Sequence, residues 1–92
     1  MLIYVITEDC EVCWIEPIVK KNKDEAVEYL KERYEEVKND MKLSDYPDNG
    51  EVIHDAYCEW SIEEDGTGSA RINIIPSGKY WEGHITIHNL KI

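Results

Sequence analysis

Between Asn22 and Met41 the apolar residues Ala26, Val27, Leu30, Tyr34, Val37 and Met41 recur with a helical period. At about 100° per residue they fall in one stripe roughly 100° wide, the pattern of a helix that buries one side. Glu25, Glu28, Glu32 and Glu36 gather on the opposite side, which predicts a solvent-facing acidic ridge. Asn22 stands three residues before Glu25, an Asn/Glu version of the capping box, and Asp24 and Glu25 meet the positive end of the helix dipole. Lys38 and Lys42 suit the carboxyl end. Ser44, Asp45, Pro47, Asp48, Asn49 and Gly50 then break the pattern, so the helix is expected to end between Asp40 and Lys42.

One helix with one apolar stripe needs a surface to cover, and the rest of the chain reads as strands. Leu2 to Thr7 is apolar on both alternating faces, which predicts a central strand covered on both sides. Glu8 to Glu11 are expected to turn the chain into a second strand, Val12 to Lys20. Pro17 cannot donate to a ladder and assigns that strand to a sheet edge, hairpinned to the first. Val52 to Glu63 forms a third strand, with Ala56, Cys58, Trp60 and Ile62 on one face. Asp65 to Gly68 signals a hairpin, Ala70, Ile72 and Ile74 alternate with Arg71, Asn73 and Ile75, and Pro76 to Lys79 turn again into a last strand, Tyr80 to Leu90. The expected fold is α+β, in the order β-β-α-β-β-β, with the amphipathic helix packed across an antiparallel five-stranded sheet. Whether the third or the fifth strand lies beside the first stays open.

Residues 1–92 are expected to form a single domain with room for one core. Tyr4, Trp14 and some of Tyr57, Tyr80 and Trp81 are expected on the sheet face away from the helix. A single helix leaves that face uncovered, so a partner or a homodimer is expected there.

Charge narrows the partners. Twenty acidic residues against ten basic ones give a formal net charge of −10. That sign argues against direct binding to nucleic acid or to an anionic membrane, both of which recruit Lys and Arg. A basic protein surface is the expected partner. Leu2 to Ile6 is too short for a signal-peptide core, and no apolar run approaches the roughly 18 residues that span a bilayer. Three cysteines without a framework spacing point to a reducing cytosol, and a soluble cytoplasmic protein is expected.

Catalytic and metal chemistry find little support. Cys10 and Cys13 have the spacing of a metal knuckle or redox pair, but a structural zinc site needs four ligands, and His54, Cys58, His84 and His88 form no second close pair. On a strand, His84 and His88 lie about 13 Å apart. The favoured reading is a turn cysteine and a strand cysteine, with a metal-binding module through Cys10 and Cys13 as the third-ranked function. Aligning Gly66 with the glycine of an EF-hand puts Ile72 where a bidentate glutamate is required. No nucleophile with its base, and no phosphate-cradling glycine loop, stands out. The chain is read as a non-enzyme without a cofactor.

Two acidic features remain. From Leu43 to Ala70 the chain carries Asp45, Asp48, Glu51, Asp55, Glu59, Glu63, Glu64 and Asp65 without one Lys or Arg. On the helix, Glu28, Glu32 and Glu36 repeat every ~6 Å, close to the spacing of phosphates along one nucleic-acid strand. Glu25, Glu28, Glu32, Glu36, Asp48, Glu51, Asp55, Glu59, Glu63, Glu64 and Asp65 are therefore the candidate binding residues. The competing reading is a solvated face that keeps a small domain in solution.

The opening Tyr4-Val5-Ile6-Thr7, its hairpin, and Lys23-Asp24-Glu25-Ala26-Val27-Glu28-Tyr29-Leu30 resemble small orphan proteins of phages and other mobile elements. In charge and size the chain is similar to the acidic anti-CRISPR and anti-restriction inhibitors, which as a class often occupy the nucleic-acid-binding surface of their target. The resemblance implies an inhibitor of a nucleic-acid-binding protein that acts by polyanion mimicry. The alternative is an accessory or oligomerising domain whose acidity serves solubility.

Overall fold

A computed structural model describes residues 1–10 and 15–90. The elements run β1 (Leu2–Cys10), β2 (Ile18–Lys20), α1 (Lys23–Asp40), β3 (Ala56–Ile62), β4 (Gly68–Ile74) and β5 (Lys79–Asn89). The strands form one antiparallel sheet in the order β2-β1-β5-β4-β3, and α1 packs across one face. The expected α+β fold is the observed one. No helix among the described residues is long and apolar enough to cross a membrane.

The helix begins where its sequence signals put it. Asn22 keeps an extended backbone, and its Oδ1 accepts from the amides of Asp24 at 2.8 Å and Glu25 at 3.2 Å, a cap worth about 1 kcal/mol. Met41 closes the other end, and Lys42 takes a left-handed φ of 61° as the chain leaves. Ala26, Leu30 and Tyr34 are buried, and Val27, Val37 and Met41 pack against the core as the stripe requires. Lys38 departs from expectation. Its ammonium is buried, donating at 2.9 Å to both the Tyr46 carbonyl and Asp48 Oδ1 instead of facing solvent at the helix end.

Alternation decides which side of each strand meets α1. Ile6, Cys58, Ala70, Ile72, Trp81 and Ile85 form the buried layer under the helix. Gly83 sits within this layer because there is no room for more: a Cβ there would lie 2.5 Å from Leu30 Cδ1 and 2.7 Å from the Trp81 ring. The β3–β4 hairpin closes through Asp65, whose Oδ1 accepts from the Thr67 amide and hydroxyl at 2.9 and 2.6 Å.

Several sequence expectations give way. Glu8 to Cys10 do not turn; they continue β1, paired with Gly83, Glu82 and Trp81 of the long β5, whose ladder supplies the partners a turn would lack. The second strand is shorter than expected. It keeps its edge position as Ile18–Lys20, after Pro17, while residues 11–14 lie outside the described residues. The third strand starts at Ala56 rather than Val52, because His54 and Asp55, at φ of 50° and 65°, form a tight turn closed by Ile53 and Ala56. Cys10 is a strand residue and is disulfide-bonded, whereas Cys58 is a buried free thiol. The cysteine count therefore no longer argues for a reducing compartment. Cys13 lies outside the described residues.

Tyr4 and Trp81 are also corrected. Both belong to the helix side: Tyr4 packs on the core, and the Trp81 ring is buried 6.2 Å from that of Tyr34. The uncovered face carries instead the polar row Thr7, His84, Ser69 and Ser61 and the charged row Asp9, Glu82, Arg71 and Glu59. Tyr57 and Tyr80 flank Asn73 in the next row of that face. Trp14 lies outside the described residues. On this face Ile3 and Val5 of β1 are only half-buried, so the strand is not covered on both sides.

Candidate functional site

Antiparallel geometry places the start of α1 beside the end of β3. Lys23 Nζ donates to the Glu64 carbonyl at 3.1 Å, tying the first helical residue to the β3–β4 turn. Between the two elements runs an open groove of about 610 Å³. Its apolar lining is Val27 from the helix and Trp60 and Ile62 from β3. Asp24, Glu28 and Glu32 stand on the helix wall, and Glu63 and Glu64 on the turn. Two ammonium groups, Lys23 and Lys31, answer these five carboxylates.

The groove joins two acidic features that are far apart in sequence. Glu28 and Glu32 come from the helix ridge and Glu63 and Glu64 from the 45–65 run, and all four are exposed. A concave surface with an apolar lining concentrates such a field more than a convex ridge does. Trp60 is held by Tyr34, ring centroids 5.4 Å apart, and its face is covered by Lys31 Nζ at 4.7 Å from the centroid. On the other flank of the ridge a smaller recess of about 250 Å³ is lined by Lys20, Glu25, Glu28, Tyr29 and Glu32. There Lys20 Nζ lies 5.5 Å from the Tyr29 ring centroid.

The remaining candidates are dispersed. Glu36 is exposed but pairs with Arg33 Nη1 at 3.2 Å. Asp65 points its Oδ1 into its own turn, and these hydrogen bonds hold its carboxyl below the ordinary range. Asp55 and Glu63 lie beyond opposite ends of β3, about 26 Å apart at the rise of a strand. Glu51 and Asp55 are exposed near the start of β3, and Glu59 lies on the sheet face opposite the helix, bridged to Asn49.

Asp48 turns inward. Its Oδ1 accepts from Tyr34 Oη at 2.5 Å and from Lys38 Nζ at 2.9 Å. Partial burial opposes its charge, but these two donors outweigh that and hold its carboxyl below the usual range. Burial, and then the bond to Asp48, push the Tyr34 phenol far above its ordinary value. Burial likewise raises the Cys58 thiol. This cluster joins the second half of α1 to the following loop, and its groups are matched to one another rather than aimed at a ligand.

Trp60, Val27, Ile62 and Lys31 were absent from the sequence candidates. Trp60 and Ile62 share the helix-facing side of β3 and lie near its end, the one signal that marked them. Among the described residues no group of three His, Cys, Asp or Glu side chains is placed to hold a metal ion. No family model matches the chain, and neither does any curated protein or solved structure.

Proposed function

We propose that the protein is a small acidic binding module that engages a basic protein surface, and in its sharpest form inhibits a nucleic-acid-binding protein by polyanion mimicry. The convergence of Glu28 and Glu32 with Glu63 and Glu64 along one groove carries this reading. Acids spread for solubility alone have no need to meet across a cleft. The ridge supplies the charge period, and the likeness in size and charge to anti-CRISPR and anti-restriction inhibitors supplies the class of target.

Single exposed ion pairs contribute only about 0–1 kcal/mol, so affinity on this surface comes from many carboxylates acting together. Binding then gains mainly in association rate and falls steeply with salt. The test is displacement of a fluorescent DNA duplex from a basic DNA-binding domain. The parent protein should displace the duplex at low salt. A variant with Glu28, Glu32, Glu63 and Glu64 changed to Lys should not, while a charge-matched variant at the exposed Asp9, Glu16, Asp40 and Asp45, outside the candidate binding residues, should. Equal loss in both variants, or displacement indifferent to salt, rejects the reading.

An accessory or oligomerising role is the second reading. Val19 is 55% exposed beside its partner Val5 on the uncovered sheet face, and this patch favours a homodimer there. Light scattering that shows a monomer at high concentration removes it.

A further inference from the structure

The two recesses that flank the helix ridge have the same composition: an aromatic ring, glutamates around it, and one of the chain's own lysines over the ring. In the larger one these are Trp60, Glu28, Glu32, Glu63 and Glu64, with Lys31 4.7 Å from the ring centroid. In the smaller one they are Tyr29, Glu25, Glu28 and Glu32, with Lys20 at 5.5 Å. We infer that the larger groove is a socket for an arginine side chain of a basic partner, which displaces Lys31 from the Trp60 face. The inference rests on the proposed binding of a basic surface and names the side chain that enters it.

Three observations favour a cation at this point. The ring already holds an ammonium at a distance at which the indole quadrupole attracts positive charge. Five carboxylates against two ammoniums leave the groove short of cations. Lys31 lies over two rings, Trp60 at 4.7 Å and Tyr34 at 5.4 Å, but its one ion pair, with Glu35 at 3.3 Å, joins exposed helical neighbours four residues apart and is of small worth. The incoming group thus meets an anionic cleft whose resident cation can be exchanged for one that stacks better on the indole.

The same geometry selects arginine over lysine. A guanidinium is planar, is more weakly hydrated than an ammonium, and stacks on an indole while donating in pairs to carboxylates at the ring edge. Lysine offers a compact charge that would replace Lys31 like for like. Arginine also fits the proposed target class, because its forked guanidinium is over-represented where proteins contact phosphates in pairs of hydrogen bonds.

The probes are three peptides of equal length: hexa-arginine, hexa-lysine, and a hexa-arginine analogue with two central residues replaced by neutral citrulline. The parent protein should bind hexa-arginine several-fold more tightly than hexa-lysine, and binding should perturb the Trp60 indole resonance. Trp60→Leu should abolish the preference while keeping the salt-dependent binding common to both peptides. Because Trp60 touches Tyr34, that variant can lose its fold, so Lys31→Gln serves as the second: vacating the ring should favour hexa-arginine more than hexa-lysine. Equal, salt-dependent binding of the arginine and lysine peptides, unchanged by either substitution, overturns the socket and leaves the acidic binding surface standing. Absence of binding by all three peptides at low salt overturns both. The citrulline analogue should bind more weakly than hexa-arginine, and equal binding of the two also counts against the socket.

Discussion

Glu8 Oε1 accepts from Arg33 Nε at 2.9 Å and lies 2.8 Å from Arg33 Nη2, joining the middle of the helix to β1 under the core. The same oxygen accepts from Trp81 Nε1 at 2.9 Å. The Glu8 side chain is 2% exposed and that of Arg33 26%. Burial opposes the guanidinium charge, yet the bond to Glu8 and its charge outweigh this and raise Arg33 above its ordinary value. The contact fixes the helix over β1 and β5, and so fixes the ridge beside β3.

Removing the carboxylate should therefore be severe. Glu8→Ala leaves Arg33 and the Trp81 indole without their acceptor and is expected to cost about 3–5 kcal/mol, the range for breaking a buried pair. Glu8→Gln keeps an acceptor and should cost less. Urea unfolding of the two variants with unchanged m-values checks the order.

The Tyr34, Lys38 and Asp48 cluster makes an acid-sensitive contribution. The carboxyl of Asp48 is depressed in the folded state, so the unfolded chain binds the proton more readily. Its contribution is present above the ordinary carboxylate value of about 4 and is lost as pH falls through the lower folded value. Asp48→Asn, which leaves the buried Lys38 without its counter-charge, should cost about 1–3 kcal/mol at neutral pH and flatten this acid limb. Unfolding measured from pH 2 to 7 reads both effects.

The turn before β3 holds two side-chain-bearing residues in left-handed backbone, His54 and Asp55. Asn-Gly is the favoured pair for such a two-residue hairpin turn. Replacing His54→Asn with Asp55→Gly should stabilise the protein by about 1 kcal/mol and raise Tm by about 4–8 °C. Calorimetry decides, and a lowered Tm would mean that the native pair makes a contact that the turn geometry does not require.

Gly83 is constrained by space. Gly83→Ala drives a methyl group toward Leu30 and the Trp81 ring and should cost about 1–3 kcal/mol. The cost should shrink in a Leu30→Val background, because the two positions are in contact and their effects do not add. A double-mutant cycle measures the coupling.

The sequence by itself determined the elements that follow from local periodicity and local hydrogen bonding. The stripe from Ala26 to Met41 and the Asn22 cap specify α1 because every contact involved lies within a few residues. The alternation of Ala56, Cys58, Ala70 and Ile72 specifies which faces of β3 and β4 are buried. The fold class followed from counting these faces. Tertiary structure alone decided that β5 pairs with β1, since a strand's pattern names its buried face but not its neighbour. That pairing carries β1 through Glu8 and buries the Glu8 carboxylate, a residue whose type signals a turn or solvent. The packing of the loop after α1 against the helix likewise drew Asp48 Oδ1 to Lys38, against the expectation for either residue alone. The groove has the same origin: Glu28 and Glu63 are thirty-five residues apart, and only the packing of α1 beside the end of β3 brings them to one cleft over Trp60.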